Sequence, residues 1–78
     1  MNSTREEILN IVKEISNNND IDFNNRLLDE GIIDSLSTIM LIQRLEEDFN
    51  IAIDNNDLNH DNFNTIENIY LLISVKLK

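Results

Sequence analysis

The chain has 78 residues, 15 acidic against six basic side chains, a formal net charge of −9 and no cysteine. This length suits one small domain, residues 1–78, with no room for a buried catalytic cleft beside a hydrophobic core. The charge argues against binding to nucleic acid or anionic membranes and favours basic protein partners. Without cysteine, neither a disulfide nor a thiolate nucleophile can come from this chain.

The composition predicts an all-α fold, because proline is absent and glycine occurs once. Three amphipathic segments and a long first loop predict a bundle of three main helices plus one short helix. The first helix is expected to begin after Ser3, which with Glu6 forms a capping box, and to end near Ser16. One apolar face follows the helical period and predicts contact with the core: Ile8, Ile11, Val12 and Ile15.

A long loop is predicted between the first helix and Ile33, where no hydrophobic period persists. Loops of this length in a small domain are often functional. Its apolar side chains are expected to pin it to the core: Ile21, Phe23, Leu27 and Leu28.

The loop leads to a polar pair, Asp34 and Ser35, at the start of a second helix predicted over Ser35 to Phe49. Asp34 suits the N-cap position, since its carboxylate can accept from free N–H groups of the first turn. Ser35 then lies at the positive end of the helix dipole, which favours a phosphate group. Gly31, the single glycine, lies just upstream, where the backbone can need a conformation other residues resist.

The second helix has a predicted core line and a predicted surface patch. Its core line is Thr38, Leu41, Ile42, Leu45 and Phe49. Leu36, Ile39 and Met40 lie beside Ser35 and toward solvent, which indicates a docking patch for partner proteins. Acidic residues near the helix end, such as Glu47, are expected to guide the approach of basic partners.

After the second helix, a short helix is predicted near residues 56–59. A last helix opens with Asn64 or Thr65 as its cap. Its core face is predicted to be Ile66, Ile69, Tyr70, Ile73 and Leu77. His60 is assigned to a solvated loop, because a catalytic base needs a positioned partner and the sequence offers none. Neither a catalytic residue set nor a metal-ligand cluster is predicted.

Several of these features together resemble the acyl carrier proteins: the Asp34-Ser35-Leu36 motif, the apolar pattern to Phe49, the acidic run 46–48, and Ile51 with Ile53. The resemblance implies that Ser35 carries a 4′-phosphopantetheine arm, derived from coenzyme A, through a phosphodiester. The terminal thiol of that arm holds acyl or aminoacyl groups as thioesters. It also implies that Asp34 helps to orient Mg²⁺ bound by the transferase.

The same resemblance implies a carrier without enzymatic activity of its own. Its implied partners are a phosphopantetheinyl transferase, a loading enzyme and an acceptor enzyme. The chain is expected to be monomeric and cytoplasmic, without membrane insertion, because no signal peptide or sufficiently long apolar run is present.

The stretch from Asp57 to Thr65 resembles the D-alanyl carrier proteins of teichoic acid D-alanylation, which makes D-alanine the leading cargo. If four aromatic side chains fill the core, little space remains for a long acyl chain: Phe23, Phe49, Phe63 and Tyr70. Carriers of fatty-acid, polyketide or nonribosomal peptide synthesis remain alternatives. An alternative of another class is a small acidic helical interaction module in which Ser35 only caps a helix.

Overall fold

The computed structural model describes residues 3–77, so Met1, Asn2 and Lys78 of the predicted 1–78 domain lie outside the described residues. Residues 3–77 form four α-helices and one 3-10 helix, and they contain no β-strand. The α-helices are α1 (Thr4–Ser16), α2 (Ser35–Phe49), α3 (His60–Asn64) and α4 (Ile66–Lys76), and the 3-10 helix is Asn55–Asp57. The predicted all-α fold of three main helices and a short one is confirmed.

Local hydrogen bonds fix the helix ends. The Ser3 hydroxyl accepts from the Glu6 N–H at 3.1 Å and starts α1, and Thr65 starts α4 by accepting from the Asn68 N–H at 3.1 Å. Asn17 and Asn50 end α1 and α2 with φ angles of 54° and 53°. Asparagine tolerates this left-handed conformation better than most residues, which gives two of the many asparagines a structural role.

The core lies where α1 packs against both α2 and α4, while α3 packs against α4. Its apolar side chains come from every α-helix and from the long loop. They are Ile8, Leu9, Ile11, Val12, Ile21, Leu27, Ile33, Leu41, Leu45, Phe63, Ile66, Ile69 and Ile73. Burial of a leucine or isoleucine side chain stabilises a fold by about 1.5–3 kcal/mol, so the long loop is held partly by its own buried residues.

The prediction that Phe23 anchors the long loop to the core is wrong. Ile21 and Leu27 are buried, but Phe23 is 43% exposed. It lies in a surface turn in which the Asn25 side chain accepts from the Asp22 N–H at 2.7 Å. Turn geometry therefore decides the position of this aromatic ring.

The premise that four aromatic residues fill the core is also wrong. Phe63 is buried, Phe49 and Tyr70 are only half-buried, and Phe23 is exposed. The core is mainly aliphatic, so aromatic bulk gives no argument about the size of the cargo.

The short helix lies further along the chain than predicted. Residues 55–57 form the 3-10 helix, and Asn59 is extended, with φ −132° and ψ 162°. The Asn59 side chain accepts from the Asn62 N–H at 2.9 Å, so Asn59 caps α3 instead of lying within a helix. Polar side chains in this segment cap the next helix and form turns, so a continuous helix over residues 56–59 does not form.

Two predicted core positions are also corrected. Thr38 is half-buried, and its hydroxyl donates to the Asp34 carbonyl oxygen at 2.7 Å. Leu77 is 53% exposed, because α4 ends at Lys76 and the helical face ends with it.

Among residues 3–77, no helix is long and apolar enough to cross a membrane.

Candidate functional site

The start of α2 presents a serine at the protein surface. Asp34 is extended, and its Oδ1 accepts from the Ser37 N–H at 2.8 Å, so Asp34 is the N-cap and exposed Ser35 is the first helical residue. Hydrogen bonds from the Ser37 backbone and then the Ser37 side chain lower the pKa of Asp34. The carboxylate is therefore ionised at neutral pH and held in place beside Ser35.

The turn before Asp34 is closed by backbone hydrogen bonds. The Leu28 carbonyl accepts from Gly31, and the Leu27 carbonyl accepts from both Ile32 and Ile33, at 2.9–3.1 Å. Gly31 has a φ of +70°, a conformation that L side chains rarely adopt. Ile33 is buried immediately before Asp34. The site is thus anchored in the core one residue before its polar pair begins.

A groove of about 370 Å³ runs beside Ser35, between α2 and the segment that leads into α3. Its walls are mostly apolar. The lining residues are Leu28, Ser35, Thr38, Ile39, Ile42, Leu58, Asn59, His60 and Phe63. An exposed hydroxyl at a helix start, with an adjoining groove, fits a covalently attached flexible arm.

The predicted docking residues share the outer surface of α2. Leu36, Ile39 and Met40 are 68%, 54% and 44% exposed. Glu47 is exposed toward the other end of the helix. Its neighbour Glu46 has a structural contact instead, since its carboxylate accepts from the Ile53 N–H at 3.0 Å.

His60 has two partners that the sequence analysis did not find. Its Nε2 lies 2.7 Å from an Asp29 carboxylate oxygen, and its Nδ1 lies 3.2 Å from Asp61. Hydrogen bonds to Asp29, and then to Asp61, raise the pKa of His60 above the usual histidine value. His60 is exposed, as its assignment to a solvated loop predicted, but the loop assignment is wrong, because His60 begins α3 and lines the groove with Ser35.

Asn64 is the second residue that sequence reasoning missed. Its side chain is buried and its Oδ1 accepts from the backbone N–H groups of Leu28 and Asp29, at 3.0 and 3.1 Å. Its Nδ2 donates to the Asp29 carboxylate at 3.1 Å. The two partners lie more than 30 residues away in the sequence, so no local pattern identifies this contact.

Among the side chains of residues 3–77, no group of three or more histidine, aspartate or glutamate residues is arranged to hold a metal ion.

Comparison with known proteins identifies the class. Residues 6–73 match the family model described as the phosphopantetheine attachment site. The chain therefore belongs to this family of carrier proteins, and its cofactor is a covalently attached 4′-phosphopantetheine. The resemblance to acyl carrier proteins is confirmed, and the family favours a carrier over a small acidic interaction module.

Curated relatives narrow the comparison within that family. A D-alanyl carrier protein of Listeria monocytogenes is 33% identical over 67 residues, covering 83% of this chain and 86% of the relative. One from Lactococcus lactis subsp. cremoris is 32% identical over 74 residues, covering 92% of this chain and 94% of the relative. The chain is thus similar to D-alanyl carrier proteins over most of its length.

Proposed function

We propose that Ser35 is the attachment residue and that the protein carries its cargo on an arm at this position. The observation that carries this proposal is the place of Ser35, exposed as the first residue of α2 and preceded by its cap, Asp34. A negative group near a helix N-terminus is stabilised by about 0.3–1 kcal/mol at an exposed site. The phosphodiester of the arm would gain this stabilisation at Ser35.

The test is incubation with coenzyme A and a phosphopantetheinyl transferase of broad specificity. The wild-type protein is expected to gain the mass of one phosphopantetheinyl group, and Ser35→Ala is expected to gain none. Ser37→Ala is the matched control, because Ser37 lies in the same helical turn, and it should still be modified. Modification of Ser35→Ala would contradict the proposal.

The carrier is proposed to act as a cytoplasmic monomer without catalytic activity of its own. Its phosphopantetheinyl transferase adds the arm, a loading enzyme forms the thioester, and an acceptor enzyme removes the cargo. The family match supports this scheme, since carrier proteins of this kind work through partner enzymes.

D-alanine is the proposed cargo. The support is the similarity, over most of the chain, to proteins named as D-alanyl carriers. Such a cargo is short and charged, so it favours solvent at the end of the arm over an apolar cavity. The loading enzyme would accordingly be one that activates D-alanine.

The apolar groove beside Ser35 favours a second candidate, a longer acyl chain. Ile39, Ile42 and Phe63 line it, and burial of an acyl chain there would be favourable by about 0.8 kcal/mol per CH₂ group. The comparison is between samples loaded with octanoyl and D-alanyl groups. With D-alanine as the cargo, octanoyl should leave the melting temperature and the NMR shifts of Ile42 and Phe63 close to those of the D-alanyl form. Clear stabilisation and shifts with octanoyl alone would support the acyl-chain carrier instead.

The partner-binding surface is proposed to consist of Leu36, Ile39 and Met40, with Glu47 contributing to electrostatic attraction. Their exposure beside Ser35 supports this assignment, because monomeric proteins seldom expose clustered apolar side chains without a binding role. Partners would therefore dock where they also reach the arm.

A matched pair of variants tests the docking surface. Met40→Ala should raise the KM of the transferase or the loading enzyme for the carrier. Leu71→Ala removes a similarly exposed apolar side chain from α4 and should leave the KM unchanged. Added salt should slow association, because exposed charges are screened over about 10 Å at 0.1 M ionic strength. Equal effects of both variants would contradict the surface, and an association rate indifferent to salt would contradict the role of Glu47.

A further inference from the structure

The loop before Ser35 is held to α3 by a set of polar contacts. The Asn64 side chain accepts from the N–H groups of Leu28 and Asp29, and its backbone carbonyl accepts from the Leu27 N–H at 2.6 Å. The Asp29 carboxylate connects the loop to two residues of α3. One of its oxygens accepts from the Asn64 side chain, and the other lies 2.7 Å from His60 Nε2. We call Asn64, Asp29 and His60 the loop latch.

The latch contacts the same residues whose carbonyls close the turn before the site. Leu27 and Leu28 accept from the backbone of residues 31–33, and Asp34 and Ser35 follow directly. One short, hydrogen-bonded turn therefore connects the latch to the start of α2. The connection is a contiguous path of named contacts between α3 and Ser35.

We propose that the loop latch positions Ser35 for arm transfer and that protonation of His60 tightens it. The proposal rests on Ser35 being the attachment residue. Asn64 and Asp29 do not line the groove beside Ser35, so they act on the reaction only by positioning the loop. Holding a reacting group in a productive geometry raises the rate of a chemical step, and a misplacement of about 1 Å can cost about 100-fold.

The charges around His60 give the direction of the pH effect. Asp29 faces His60 from the loop, Asp61 faces it from α3, and the charge of Arg26 acts on Asp29. The groove residues of α2 that line the same space are uncharged: Ser35, Thr38, Ile39 and Ile42.

The pKa of His60 is raised by Asp29 and Asp61, and the pKa of Asp29 is lowered by His60 and then Asn64. His60 therefore contributes fully to holding the latch below the ordinary histidine pKa of 6.5. This contribution is lost as the pH rises through the higher pKa that His60 has in the folded state. The aspartate contribution is present above 3.8 and is lost as pH falls through the lower pKa of the folded state. The latch is therefore tightest between pH 3.8 and pH 6.5, where Asp29 is ionised and His60 is protonated.

Three variants test the proposal on the full chain. Asp29→Asn keeps the shape of the side chain but removes its charge, and His60→Gln removes the titrating group. Asp20→Asn is the matched control, because it removes an exposed carboxylate from the same long loop that makes no hydrogen bond or ion pair with His60 or Asn64 in the described structure. The readouts are hydrogen-exchange protection of the amides of residues 28–33, and kcat and KM for arm transfer to the apo protein.

The first two variants are expected to lower the protection of residues 28–33 and to lower kcat by about three- to tenfold, within the range for loss of positioning. KM should change little, because the docking surface on α2 is intact. Asp20→Asn should have a much smaller effect. The ratio of wild-type to His60→Gln kcat should fall toward one as the pH rises above 6.5 and through the raised pKa of His60, where His60 loses its proton. The pH dependence of the transferase itself cancels in this ratio.

Unchanged protection in both variants would overturn the latch. Lowered protection with unchanged kcat would overturn the positioning role of the latch. A kcat ratio that does not change with pH would overturn the role of the His60 proton. A wild-type protein that gains no arm would contradict the attachment site instead, and the exchange measurement would still decide whether the latch holds the loop.

Discussion

Replacement of Asn64 by alanine tests the most specific long-range contact in the fold. The substitution leaves the N–H groups of Leu28 and Asp29 without their acceptor, in a partly buried place. A buried donor left without a partner costs about 1–3 kcal/mol. Because water reaches part of this region, the lower end of that range applies to each of the two N–H groups. The free energy of unfolding is therefore expected to fall by about 2 kcal/mol.

That loss is large for a chain of this length. Domains have a free energy of unfolding of roughly 0.05–0.15 kcal/mol per residue, so a loss of about 2 kcal/mol removes a substantial share. The melting temperature should fall by about 8–16 °C, at 4–8 °C per kcal/mol for small domains. Urea denaturation should show a lower midpoint with an unchanged m-value, since the same surface is exposed on unfolding.

Asn10→Ala is the matched control, because Asn10 is an exposed position on α1. Surface substitutions of this kind stay within about 0.5 kcal/mol. If Asn64→Ala proved as stable as Asn10→Ala, the loop would not depend on Asn64, and the reasoning from unsatisfied donors would be refuted.

Two further predictions concern the start of α2, and both are checked by urea denaturation. Gly31→Ala should destabilise the fold by about 1–2 kcal/mol through its left-handed φ alone, since an added Cβ meets nothing within 4 Å. Gly31→Asn should cost less, because asparagine tolerates this conformation, and equal losses for the two variants would contradict the backbone explanation. Asp34→Ala should cost about 1 kcal/mol by loss of the N-cap, and Asp34→Ser should restore most of it. Because the pKa of Asp34 is lowered, the difference between wild type and Asp34→Ala should persist above pH 3.8 and shrink as the pH falls below it.

The sequence predicts those parts of the fold that depend on local interactions. Ser3 and Asp34 accept hydrogen bonds from residues three positions later, so their helix starts are visible in the sequence. The buried faces of α1 and α4 follow from a helical period over several turns. The exposure of Leu36, Ile39 and Met40 follows from the same period on α2.

The features that the sequence did not predict depend on distant or weak local signals. Asn64 and His60 bind Asp29 from more than 30 residues away, and only the folded chain brings them together. The five residues of α3 carry too little periodicity to locate a helix, and its start depends on the side chain of Asn59. Phe23 was expected in the core for its apolar character, but it lies in a surface turn.

The most direct test of the central claim locates the arm on the chain. The protein is incubated with coenzyme A and a phosphopantetheinyl transferase, digested, and analysed by fragmentation mass spectrometry. The peptide containing Ser35, Ser37 and Thr38 offers three hydroxyl groups in one helical turn, so its fragments discriminate between neighbouring sites. We expect one phosphopantetheinyl group, on Ser35. An arm on Ser37 or Thr38, or an unmodified protein under conditions that modify a known carrier, would contradict this assignment.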